Sequence, residues 1–171
     1  MLPRSTQAKR DYLVPDLLAP DLRLVLCGTA PSRASAQRRA YYAKPGNRFW
    51  PTLHRVGLTP RLLAPEEYPQ LLSWGIGLTD LCKVHSGVDA ELPPDAFDIA
   101  AFERKLKRYR PRCVAFTSKN AAAASLGFQP QYGWQESVGT TRIYVLCSPS
   151  GLATRFFDVS VWQQLARELE G

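Results

Sequence analysis

Asp80 closes the run Gly77-Leu78-Thr79-Asp80, a short apolar segment that ends in a carboxylate. A carboxylate at the carboxyl end of a strand can take a proton from water or stabilise a developing positive charge. The other acidic candidates, Asp89, Asp95 and Asp98, lie in a proline-containing loop or at a helix cap, where aspartate has a structural reason to be. The competing role for Asp80 is to cap a turn or to pair with Lys83 or Arg48. Asn47 is the second candidate: its amide can orient a water or contact a ligand, and it equally suits the N-cap of the helix that follows. His85 offers an acid or a phosphate contact but fits better as a solvated loop residue, and His54 sits within an amphipathic helix as a structural residue. No lysine has the setting of a Schiff-base nucleophile. The loop Gly28-Thr29-Ala30-Pro31-Ser32 has small residues that let backbone amides approach a ligand, with a proline to fix the turn. It lacks both the Gly-x-x-x-x-Gly-Lys phosphate loop and the Gly-x-Gly-x-x-Gly dinucleotide pattern.

Hydrophobic patterning supplies the elements that position these residues. Residues 22–27, 75–81, 113–117 and 142–147 are short apolar or β-branched runs bounded by turn residues, the signature of strands covered on both faces. Helical stretches lie between them. Asn47 caps one that runs to Val56 and stops at Gly57, and Pro65 opens another through Trp74. Asp98 caps a third, with Ile99, Phe102, Leu106 and Tyr109 at helical spacing before Pro111. Residues 119–126 form a short alanine-rich helix. Asp158 starts the last, with Val161, Leu165 and Leu169 on one face. Strands alternating with helices predict an α/β fold with a parallel sheet and right-handed crossovers. Ligands of such sheets bind beyond the carboxyl ends of the strands, which directs attention to residues 28–32, 80–83, 117–119 and 148–155.

The 171 residues suit one domain. We expect a polar, proline-rich arm over residues 1–20, carrying Arg4, Lys9 and Arg10 and no secretory leader, followed by a catalytic domain over 21–171. No apolar run approaches the roughly 20 residues of a membrane span. The net charge of +7 suits a polyanionic partner, and Arg33, Arg38, Arg39, Lys44 and Arg48 crowd into one short stretch. Cys27, Cys82, Cys113 and Cys147 are far apart and include no Cys-x-x-Cys pair, so we expect reduced, structural thiols, no metal and a cytoplasmic setting.

Three segments occur in a telling order: Gly28-Thr29-Ala30-Pro31-Ser32, then Tyr41-Tyr42-Ala43-Lys44-Pro45-Gly46-Asn47-Arg48-Phe49-Trp50, then Ser148-Pro149-Ser150-Gly151-Leu152-Ala153-Thr154-Arg155. The ordered set resembles the mismatch-specific uracil/thymine branch of the uracil-DNA glycosylase superfamily, and the likeness runs from about Leu22 to the C-terminus. The resemblance implies a three-layer α/β/α fold around a central, mainly parallel sheet of four or five strands. It also implies a monomer without cofactor, acting on double-stranded DNA that holds a damaged or mismatched base, and rotation of that base out of the stack. Under it Gly28, Thr29, Ala30, Pro31, Ser32, Tyr42 and Ser148 form the base pocket. Tyr42 stacks on the extruded base; its competing role is core packing, and Tyr41 beside it could be the buried ring instead. Lys44, Arg48, Ser150, Gly151, Leu152, Ala153, Thr154 and Arg155 contact DNA, with Leu152 as the wedge that replaces lost stacking. Backbone amides of Thr29 and Tyr42 assist the leaving uracil.

Two positions depart from the branch. Many members carry Asn where this chain has Ala30, and that Asn positions the attacking water; Ser148 replaces the Asn that usually starts the last segment. Asp80, with Asn47, is the expected replacement in catalysis. The expected activity is release of uracil, above all from G·U mismatches, by hydrolysis without strand cleavage. The alternatives are a lesion binder that does not excise, a glycosylase for hypoxanthine or other damaged bases, and an α/β enzyme acting on free nucleotides.

Overall fold

A computed structural model describes residues 11–170. Five strands, β1 Leu24–Gly28, β2 Ile76–Asp80, β3 Cys113–Phe116, β4 Gly133–Val138 and β5 Thr141–Val145, form one sheet in the order β2-β1-β3-β5-β4. The first four in that order are mutually parallel, and β4 runs antiparallel to β5 at the edge. Every residue of β1, β2 and β3 is buried, because helices cover both faces. Side chains alternate between those faces with the period of two that strands impose. Leu24 and Leu26 of β1 pack with Phe49, Leu53, Trp162 and Leu165. Val25 and Cys27 pack with Phe102, Ala121 and Ala122 on the other side. The helices are α1 Arg33–Arg38, α2 Phe49–Arg55, α3 Ile99–Tyr109, α4 Lys119–Leu126 and α5 Val159–Glu170. Helices α2 and α5 cover one face and α3 and α4 the other, so the α/β/α layering expected from the sequence is what the chain adopts.

The helix starts follow local chemistry. Ser32, Asp98 and Ser118 cap α1, α3 and α4 by accepting hydrogen bonds from the amides of Ser35, Ala101 and Ala121. Asn47 accepts from the Phe49 amide at 2.9 Å, one residue ahead of the N-cap position. The expected helix from Pro65 to Trp74 is instead a 3-10 stretch, Pro65–Trp74, with Pro69 inside it. Proline has no amide to donate and its ring clashes with the preceding turn, so a regular α-helix cannot pass through it.

Residues 1–10 of the expected arm lie outside the described residues, and the rest of it is not an arm. Val14 and Leu17 are buried in the core. Leu17 exchanges two 2.9 Å backbone hydrogen bonds with Leu78, which covers the outer edge of β2. Gly77 permits this approach: a Cβ there would stand 2.5 Å from the Leu17 carbonyl oxygen. Beside it, Asp16 accepts from Thr79 and pairs with Lys83 at 2.9 Å and Lys105 at 2.7 Å. The boundary expected at residue 20 therefore cuts through packed structure.

Candidate functional site

Register brings the first two site segments together. Gly28 and Asp80 are partners in the parallel β1–β2 pair, so both loops leave the sheet at the same level. Cys27 is level with Phe116, and Phe116 with Val145, which sets residues 117–120 and 148–153 on the same end. A cleft of about 580 Å³ opens there, within the range of small-molecule sites. Gly28, Thr29, Ala30, Pro31, Ser32, Tyr42, Lys44, Asn47, Asp80, Ser148, Ser150, Leu152 and Ala153 all line it. Arg48, Gly151, Thr154 and Arg155 do not.

At the floor Asp80 is 5% exposed. A Cβ on Gly28 would lie 2.7 Å from an Asp80 carboxylate oxygen, 3.0 Å from the Tyr42 hydroxyl and 3.4 Å from the Thr117 hydroxyl. The absent side chain thus makes room for three polar groups to converge. Burial pushes the Asp80 carboxyl up to about 6; the nearby Lys83 opposes that rise and Asp16 adds to it. Lys83 is itself buried, bonded to Asp16 and to the Tyr41 hydroxyl. Asp16 is also desolvated, yet the two lysines hold its carboxyl below the ordinary range. The floor is therefore a network of two acids and two ammonium groups, in which only Asp80 borders the cleft.

The two tyrosines divide the work. Tyr41 is buried, set edge-on to Tyr68, and donates to the Pro15 carbonyl. Tyr42 is half-buried, with one face stacked on Phe49 at 3.8 Å between ring centroids and its hydroxyl 3.0 Å from Thr117. Its backbone takes φ +52°, a left-handed value that costs free energy in a non-glycine residue. Burial, followed by the nearby Asp80, pushes its hydroxyl well above the ordinary range, so it is a neutral donor or acceptor. Asn47 spends its carbonyl oxygen on the helix start, while its amide nitrogen has no partner among the described residues.

The last segment forms the rim. Ser148 accepts from the Ser150 amide, and Ser150 from that of Leu152, which begins a 3-10 turn, Gly151–Phe156. Leu152 is 71% exposed. Arg48 donates to the Thr154 hydroxyl at 3.1 Å and lies over the Phe157 ring, so this cation braces the rim. Of the expected basic cluster, Arg38 is bidentate on Glu66 and Arg33 pairs with Glu91, whereas Arg39 and Lys44, like Arg155 on the rim, are exposed and make no ion pair among the described residues.

Sequence reading gave the opposite wall no role. Thr117, Ser118, Asn120, Gly87, Val88, Asp89 and Glu91 also line the cleft. Thr29 donates to Asp89 at 2.7 Å and Asn120 donates to the other Asp89 oxygen at 2.9 Å, which pins this wall to the first loop. The only advance signal was that residues 117–119 follow a strand. Asp89 holds a loop together, as its loop position predicts, but does so at the cleft. His85 and His54 are exposed and neither lines the cleft.

The four cysteines are buried free thiols. Among the described residues no cluster of His, Cys, Asp and Glu could hold a metal ion, and no helix is long and apolar enough to cross a membrane. The family model described as the uracil DNA glycosylase superfamily matches residues 15–167. A solution NMR structure of a candidate uracil DNA glycosylase from Methanosarcina acetivorans superposes with a TM-score of 0.62 at 22% identity, over 92% of this chain and 97% of that one. At that identity the likeness speaks for the fold.

Proposed function

The chain belongs to the uracil DNA glycosylase superfamily, and from that premise we propose that it is a monofunctional DNA glycosylase that releases uracil, from G·U mismatches foremost, by base flipping and hydrolysis. The observation that carries the reading is the buried carboxylate of Asp80 against Gly28, beneath Tyr42, in a cleft whose rim presents Leu152. A duplex loses stacking when a nucleotide rotates out, and an apolar side chain at the rim offsets part of that loss. The extruded base enters the cleft against Tyr42, whose other face is already held by Phe49. As the bond from the sugar C1′ to the base nitrogen breaks, its electron pair leaves with the base and positive charge builds on the sugar. Asp80, ionised above about pH 6, stabilises that charge and takes a proton from the water that bonds to C1′. The Asn47 amide nitrogen is available to orient the water or the base. This division of labour leaves no polar task for Ala30. The exposed Lys44 and Arg155 and the overall surplus of +7 favour a DNA backbone as partner.

A second reading concerns the base. A cleft of this volume does not by size separate a pyrimidine from a purine, so hypoxanthine stays in the test. Duplexes holding uracil, thymine, ethenocytosine or hypoxanthine opposite each normal base, incubated with excess protein and treated with alkali, report base release as strand breaks. Uracil opposite guanine is expected to break first, and Asp80→Asn to lose most release while still binding duplex. Absence of product from every lesion would leave a lesion binder; tight binding of a nucleoside monophosphate, with DNA affinity insensitive to salt, would point to free nucleotides instead.

A further inference from the structure

The rim carries a second exposed apolar side chain that the proposed reaction does not use. Phe156 is 69% exposed, almost as much as Leu152 at 71%. The segment that bears both is not loose. Ser150 caps its start, Thr154 donates back to the Gly151 carbonyl at 2.8 Å, and Arg48 holds Thr154 from the neighbouring loop. The next residue, Phe157, turns inward, packs against the core and lies under the Arg48 guanidinium. Phe156 is thus held outward on an anchored turn.

Two features say what covers it. Leu152 and Ala153 line the cleft, so the turn is continuous with the proposed base site. Residues 148–157 contain no acid, and Arg155 stands exposed between the two apolar side chains, a combination that suits a polyanion with apolar faces. Four residues of chain separate the two side chains, and Ala153 between them leaves helical geometry. Leu152 lines the cleft and Phe156 does not, so the two side chains meet different parts of whatever covers the rim. We infer that Phe156 is a second contact to the duplex, stacking on an exposed base or sugar face at a step beyond the extruded nucleotide, so that the protein grips the bent helix at two apolar points with Arg155 on the phosphate between them. This inference rests on the DNA reading of the same site.

The test compares Phe156→Ala, Phe156→Trp and Leu152→Ala by fluorescence anisotropy, on a duplex holding an abasic-site analogue and on the same strand alone. Phe156→Ala is expected to weaken duplex binding about tenfold, as loss of one stacked aromatic does, with single-strand affinity and thermal midpoint unchanged. Phe156→Trp restores the duplex affinity. Equal duplex affinity of Phe156→Ala and wild type overturns the inference, as does an equal loss on the single strand. If the variant instead abolishes a concentration-dependent dimer in sedimentation while DNA affinity holds, the side chain serves self-association and the inference also fails. A wild type that binds the abasic duplex but releases no base would sink the proposed chemistry alone, because these arms read binding.

Discussion

Replacing Asp80 by asparagine is expected to make the protein more stable while removing its activity. The carboxyl stands at about 6 instead of the ordinary 3.8 because burial strips its water. A carboxylate whose folded pKa is raised binds its proton more tightly in the folded than in the unfolded chain. Stability therefore falls as pH rises from about 4 to about 6, and stays lower above that window. The rise corresponds to about 3 kcal/mol, already net of the attraction to Lys83. An amide has nearly the same shape and no charge, so Asp80→Asn removes that cost at neutral pH. Urea unfolding at about pH 7.5 should show the variant more stable by up to about 3 kcal/mol, and at about pH 4, where the wild-type acid is already protonated, the gap should nearly close. A variant less stable than wild type at pH 7.5, or a difference that does not change with pH, would refute the idea that Asp80 is held ionised against its solvation preference. It would imply instead that its charge is chiefly a structural partner of Lys83.

Single-turnover base release should rise with pH along a limb centred near 6, set by Asp80, and Asp80→Asn should lose that limb along with most of the rate. Gly28→Ala places a methyl 2.7 Å from the Asp80 carboxylate; base release is expected to drop about a hundredfold from a displacement of this kind, with circular dichroism unchanged. Trp162→Ala empties a fully buried site on α5 and removes its hydrogen bond to the Cys147 carbonyl, which should cost about 3–5 kcal/mol in a denaturant titration.

The central sheet was legible because β1, β2, β3 and β5 are apolar runs buried on both faces, a pattern that survives in sequence without knowledge of the partners. The strand β4, Gly-Trp-Gln-Glu-Ser-Val, was not, since an edge strand half open to solvent needs no apolar run and its polar residues mimic a loop. Residues 11–20 misled for a related reason. Val14 and Leu17 sit in apolar runs of only two or three residues, cut short by prolines and aspartates, and the groups that bind Asp16, namely Thr79, Lys83 and Lys105, lie more than sixty residues away. Of the site, the segments that follow strands were visible from position alone, and the resemblance added roles for Tyr42 and Leu152. Lys83 was in view as a partner for Asp80; invisible were the Asp16 carboxylate that engages Lys83 instead, and the Thr29–Asp89–Asn120 link across the cleft. Both depend on contacts between side chains distant in sequence, which no local pattern encodes.

The Arg48 amide donates to the Pro149 carbonyl at 2.8 Å, and Gly151 lies so near Gly46 that a Cβ on it would stand 3.3 Å from the Gly46 carbonyl oxygen. The loop bearing Tyr42 and the loop bearing Leu152 are thereby tied together at the backbone. Under the proposed function, pressure on the rim from a stiff helix would reach the aromatic wall beneath. Searching and capture would then be coupled: a site that yields under the rim would already lie beside its receptor.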